Sequence, residues 1–88
     1  MMPDWSVEEV GGAFLGQGNP SWKRVSRALS SDEEILVEVY EMHLGFRILS
    51  FRKRSGDPQW KGTWWTEVSG PIGAADHAEA MQIANELL

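Results

Sequence analysis

The pattern of apolar and polar positions changes period along this chain, and most of the predicted elements follow from those changes. From Glu34 to Glu41 it alternates, with Ile35, Val37 and Val39 on one side and Leu36, Glu38 and Tyr40 on the other. That is the period of a strand. Phe46 to Arg52 alternates again, setting Phe46, Ile48 and Ser50 against Arg47, Leu49 and Phe51. Met42-His43-Leu44-Gly45 between them reads as a four-residue turn. Setting Glu41 opposite Phe46 brings Val39 to Ile48 and Tyr40 to Arg47. Trp60 to Val68 reads as a third strand, with Trp60, Gly62, Trp64, Thr66 and Val68 on one face and Trp65 with Glu67 on the other. Ser69-Gly70-Pro71-Ile72-Gly73 reads as a break. The period then lengthens. Asp76 is placed to cap a helix, Glu79 occupies the capping-box position, and Ala80, Ile83, Ala84 and Leu87 form its apolar stripe, widened by Met81 and Leu88.

The N-terminal third has two short helical patterns. Ser6 can cap a helix, with Glu9 at the capping-box position and Trp5 and Val10 as a hydrophobic staple. Val7, Val10 and Phe14 follow at helical spacing, and the element is expected to end near Gly16. Asn19-Pro20 suits a helix start. Trp22, Val25 and Leu29 continue as a helical stripe over about 20–30, although Lys23, Val25, Arg27 and Leu29 also alternate loosely, as a strand would. The expected fold is α+β. It comprises an antiparallel meander of three strands, with a fourth if residues 22–29 are extended, a C-terminal amphipathic helix and one or two short N-terminal helices. Its sheet has two apolar-leaning faces. One helix covers one of them, so the other needs the N-terminal segment, a second copy or a ligand.

Composition narrows the classes. Eighty-eight residues suit one small domain, residues 1–88. There is no cysteine, so neither a disulfide nor a thiolate metal site is available, which suits a reducing cytoplasm. No signal-peptide pattern opens the sequence, and no apolar run approaches the ~20 residues that span a bilayer. The net charge is −5 and disfavours a nonspecific polyanion binder. All eight basic residues lie between Lys23 and Lys61, however, and both flanks carry acids only. No internal repeat is present.

The candidate chemistry is sparse. His43 and His77 have no ligand spacing around them, so no metal or cofactor is expected. Gly11-Gly12 and Gly16-Gln17-Gly18 lack the strand that a phosphate-binding loop requires. Asp32-Glu33-Glu34 reads as a solvated turn. Glu38, Tyr40 and Arg47 share a sheet face and could supply the polar groups of a small pocket, or a cross-strand ion pair. Arg52, Lys53, Arg54 and Lys61 lie among aromatic residues, as in readers of nucleic acid, or form a solvated loop that protects a sheet edge.

The five tryptophans carry the main question. Trp60 and Trp64 are expected under the last helix, and Trp65 faces the other way. The expectation is a non-enzymatic interaction protein, a homodimer joined through an aromatic-rich sheet face, with Trp22, Tyr40, Arg47, Phe51 and Trp65 as contacts. A nucleic-acid accessory protein and a small-molecule binder or minor enzyme built around Glu38 are the alternatives.

Overall fold

A computed structural model describes residues 3–15, 21–56, 59 and 62–88. Five strands are followed by one helix: β1 (Ala13–Leu15), β2 (Lys23–Leu29), β3 (Ile35–Met42), β4 (Gly45–Arg54), β5 (Trp64–Ala74) and α1 (His77–Leu87). They form one sheet in the order β1-β5-β4-β3-β2, antiparallel except where β1 joins β5 in parallel.

The β3–β4 hairpin has the register its alternation requires, with Tyr40 opposite Arg47 and Val39 opposite Ile48. Pairing continues to Met42 and Gly45, so the turn is shorter than expected and centres on His43 and Leu44. Gly45 has φ +131°, and a Cβ there would stand 2.7 Å from the Ala74 carbonyl oxygen, so only glycine fits. The helix is capped as its sequence indicates. Asp76 accepts the Glu79 amide at 2.8 Å, and Ala80 and Ala84 are fully buried against the sheet.

Neither expected N-terminal helix is present among the described residues. Residues 23–29 form β2, which pairs antiparallel with β3 and bulges at Val25. The bulge inserts one residue, so Arg24 and Arg27 face the same side, opposite Tyr40 and Glu38 respectively. A spacing of three in an extended chain therefore resembles a helical stripe. Residues 3–12 are not helical either and form an irregular strap, bridged to β2 at Ser6. Asp4, not Ser6, supplies the local anchor: its carboxylate accepts the Ser6 amide at 2.9 Å and the Ser6 hydroxyl, contacts that hold its pKa below the usual range. The strap bonds to β2 through Val7 N–H to the Arg27 carbonyl and Arg27 N–H to the Trp5 carbonyl, each 3.2 Å.

The expected break at residues 69–73 does not end β5. The strand runs through a cis Gly70–Pro71 bond to Ala74 and absorbs irregularities opposite Ser50.

Two apolar clusters lie on opposite faces. On one, Val37, Val39 and Ile48 meet Ala80 and Ala84 of α1. On the other, Leu36, Leu49, Phe51 and Trp65 are joined by Val10 and Phe14. Arg27 of β2 stands 5.7 Å from the ring of Phe14 of β1, although these are the two outermost strands. A flat sheet would separate them by four spacings, about 19 Å. The sheet is therefore rolled, concave on the Trp65 side, and the strap passes from the β2 edge across that concavity to β1.

Candidate functional site

Arg27 and Glu38 are 8 % and 2 % exposed. Arg27 Nε donates to Glu38 Oε2 at 2.7 Å, and its terminal nitrogen also pairs with that oxygen. The other arm of the guanidinium donates to the Glu8 carbonyl in the strap at 2.9 Å. The Tyr40 hydroxyl donates to the second carboxylate oxygen, Oε1, at 2.7 Å. Burial, then the bond to Glu38 and its charge, push the Tyr40 pKa well above the ordinary tyrosine value. Arg24 lies 3.8 Å from Glu38 and is more exposed. Glu38 is thus satisfied from three sides, and no buried side-chain polar atom among the described residues lacks a partner. A carboxylate held in this way serves as the structural counter-ion of Arg27.

The expected pocket group Glu38–Tyr40–Arg47 is therefore regrouped. Glu38 takes Arg27 as its cation, a residue that reaches it only because 23–29 is a strand. Arg47 instead donates to the Phe46 carbonyl at 2.8 Å. Its guanidinium lies over Gly73, where a Cβ would stand only 3.3 Å from it.

Among the described residues the strap covers this pair, through Glu8, and does not extend over the whole concave face. The strap covers the sheet at Leu36, Leu49, Phe51 and Trp65. Toward the β3–β4 turn, the Trp22 and Tyr40 rings lie 6.1 Å apart at 56°, and Tyr40 is flanked in register by Arg24 on β2 and Arg47 on β4. Trp22, Tyr40 and Arg47 are half-buried and Arg24 is exposed. Among the described residues Arg47 has no carboxylate partner, and Arg24 has only the distant edge of Glu38.

Of the expected contact residues, the fold gathers Trp22, Tyr40 and Arg47 and withdraws the other two. Phe51 and Trp65 are each 1 % exposed. The Trp65 indole N–H donates to the Gly11 carbonyl at 2.8 Å, and Phe14 stacks at 6.3 Å. Trp64 belongs to neither buried cluster, contrary to its expected place under the helix. Trp60 lies outside the described residues, as does Lys61.

The basic group divides as well. Arg52, Lys53 and Arg54 are in β4 and not in a loop. Lys53 sits over the Trp65 ring at 5.6 Å on the concave side, while Arg52 and Arg54 face the helix side opposite Thr66 and Trp64. Asp32 accepts the Ser30 hydroxyl at 2.6 Å and the Glu34 amide at 3.1 Å, so the acidic run is a turn anchor.

Sequence reasoning missed Arg24 and Arg27, because the bulge at Val25 disguises their common face. It also missed the Gly11 carbonyl, which no side-chain pattern marks.

No group of three or more metal-ligating side chains converges among the described residues, and none of their helices is long and apolar enough to cross a membrane. No family model matches this chain, nor does any curated protein or solved structure.

Proposed function

We propose that this is a small, non-enzymatic interaction module whose contact surface is one end of the concave face: Trp22, Arg24, Tyr40 and Arg47. One observation carries the proposal. Two guanidinium groups, Arg47 with no carboxylate partner among the described residues and Arg24 with only Glu38 at 3.8 Å, flank a Tyr–Trp pair on the part of that face nearest the β3–β4 turn. Arginine and large aromatics are the side chains that contribute most at protein interfaces. Glu38 and Arg27 beneath fix the geometry: Glu38 holds the Tyr40 hydroxyl, so the ring presents its face and edge.

The favoured partner is an acidic protein segment. The homodimer expected from the sequence is the competing form of the same proposal. Joined face to face about a twofold axis, two copies would oppose four guanidinium groups, an arrangement that costs energy unless acids intervene. The aromatic cluster that prompted the dimer is now occupied by the chain's own strap.

Sedimentation at tens of micromolar separates the two forms, and monomer is expected. Titration of the isotopically labelled protein with a glutamate-rich peptide should then move the Trp22 indole and the Arg24 and Arg47 side-chain signals. Arg24→Glu/Arg47→Glu should abolish the response without changing the fold. Signals that stay fixed at low salt would refute the proposal.

A further inference from the structure

A second exposed surface lies on the other side of the sheet, where β4 ends and β5 begins. Arg52 pairs in register with Thr66, and Arg54 with Trp64, so all four side chains share the helix-side face at the end of β4 and β5. Residues directly opposite in an antiparallel pair project to the same side, as do positions two apart along a strand. Arg52 and Arg54 are exposed, and neither has a carboxylate in an ion pair among the described residues. Arg54 is braced by its Nε, which donates to the Thr66 hydroxyl at 3.3 Å. Asp32 feels the charge of Arg52 from the neighbouring turn, but it is already engaged by Ser30 and Glu34. Trp64 is half-buried and packs in neither apolar cluster, so its ring is not needed by the core.

We infer that Arg52, Arg54 and Trp64 bind a short stretch of single-stranded nucleic acid. Its two outer phosphates would meet the two guanidinium groups, with an unpaired base on the indole. Three features select this ligand. The arginines are two residues apart on a strand, about 6.8 Å along it. Successive phosphates along a nucleic-acid strand are separated by a comparable step. An indole beside paired cations is the composition of a stacking platform that tolerates any base. The surrounding charge limits the length. The chain carries −5 overall and its flanks are acidic, so a long polyanion would run off the patch into repulsion. This surface lies on the opposite face of the sheet from Trp22 and Arg47, so the two proposals stand or fall separately.

The test is fluorescence anisotropy of an end-labelled octamer of deoxythymidine with the full chain at low salt. Binding is expected to be weak, with a log–log salt slope near −1.4, the value for about two phosphates on a single strand. Trp64→Ala should weaken it roughly tenfold, within the range for loss of one stacked base, and Trp64→Phe should restore most of it. Arg52→Gln/Arg54→Gln should abolish it, whereas Lys53→Gln, on the other face, should leave it within about twofold. Melting temperatures of the variants report that they are folded. The inference is overturned by no anisotropy change at low salt, by equal binding of Trp64→Ala, by equal binding of a duplex of the same length, or by equally effective competition from polyglutamate.

Discussion

The two faces of the sheet are closed by different means. On one, a helix satisfies its own backbone hydrogen bonds and needs only apolar contact, so the sheet offers Val37, Val39 and Ile48 and the helix answers with Ala80 and Ala84. On the other, an irregular strap cannot satisfy its own backbone. The face beneath it must supply polar partners, and it does so through the Trp65 indole to Gly11 and the Arg27 guanidinium to Glu8. The buried charge on the strap side is thus tied to what covers it. Arg27 must be inside to hold the strap, and Glu38 must be inside to neutralise Arg27. Where the strap stops, the same polar and aromatic chemistry is left facing outward at Tyr40, Arg24 and Trp22.

Several substitutions can break or sharpen this contrast. The largest effect is expected at the ion pair. Glu38→Ala leaves Arg27 buried without its counter-ion and should destabilise the fold by about 3–5 kcal/mol in urea unfolding. The double change Arg27→Met/Glu38→Leu should recover much of that loss in the sheet while releasing Glu8, seen as faster amide exchange in the strap. Trp65→Ala should cost about 3–5 kcal/mol through the cavity it opens. The same change at neighbouring Trp64, outside both cores, should cost under about 1 kcal/mol. On the helix side, Ala84→Leu should overpack the interface by about 1–3 kcal/mol, and Asp76→Ala should remove the N-cap at about 1 kcal/mol. Both should leave the strap's exchange rates unchanged.

The smallest effect is a pH signature. Tyr40 is the single tyrosine, so ultraviolet absorbance follows it without overlap from another phenol. Its folded pKa lies above the unfolded value near 10. Its contribution to stability is therefore complete below about pH 10 and declines as pH rises from there toward the folded pKa. A midpoint at the ordinary tyrosine value would mean that Tyr40 is neither buried nor bonded to Glu38.

The contrast also explains which parts of the molecule were legible in the sequence. The β3–β4 hairpin and α1 are regular, and each carries an uninterrupted period, so registers such as Tyr40–Arg47 and the Asp76–Glu79 cap follow from spacing alone. The irregular elements misled. The Val25 bulge turned the alternation of β2 into a helix-like stripe, and the irregular pairing opposite Ser50 hid the continuation of β5 through Pro71. The strap carries the residues of a capping box, but Trp5 and Val10 pack on opposite faces of the sheet and no staple forms. Gly12, at φ +94° and with a Cβ position only 2.7 Å from the Thr63 carbonyl oxygen, allows the strap to turn into β1. At the candidate site, Trp22, Tyr40 and Arg47 were visible as residue types. Their separation from Trp65 depends on a covering segment whose key contact is a backbone carbonyl, which sequence pattern does not encode.

The central claim is that residues 3–12 close the concave face over Trp65, with the surface for a partner at the end that carries Trp22 and Tyr40. Hydrogen–deuterium exchange of the Trp65 indole N–H, followed by NMR in the intact protein, tests it most directly. Bonded to the Gly11 carbonyl within a side chain only 1 % exposed, this proton is predicted to exchange far more slowly than the half-buried Trp64 indole, and to lose that protection when residues 1–12 are deleted. A Trp65 indole that exchanges as fast as Trp64 in the intact chain would contradict the account.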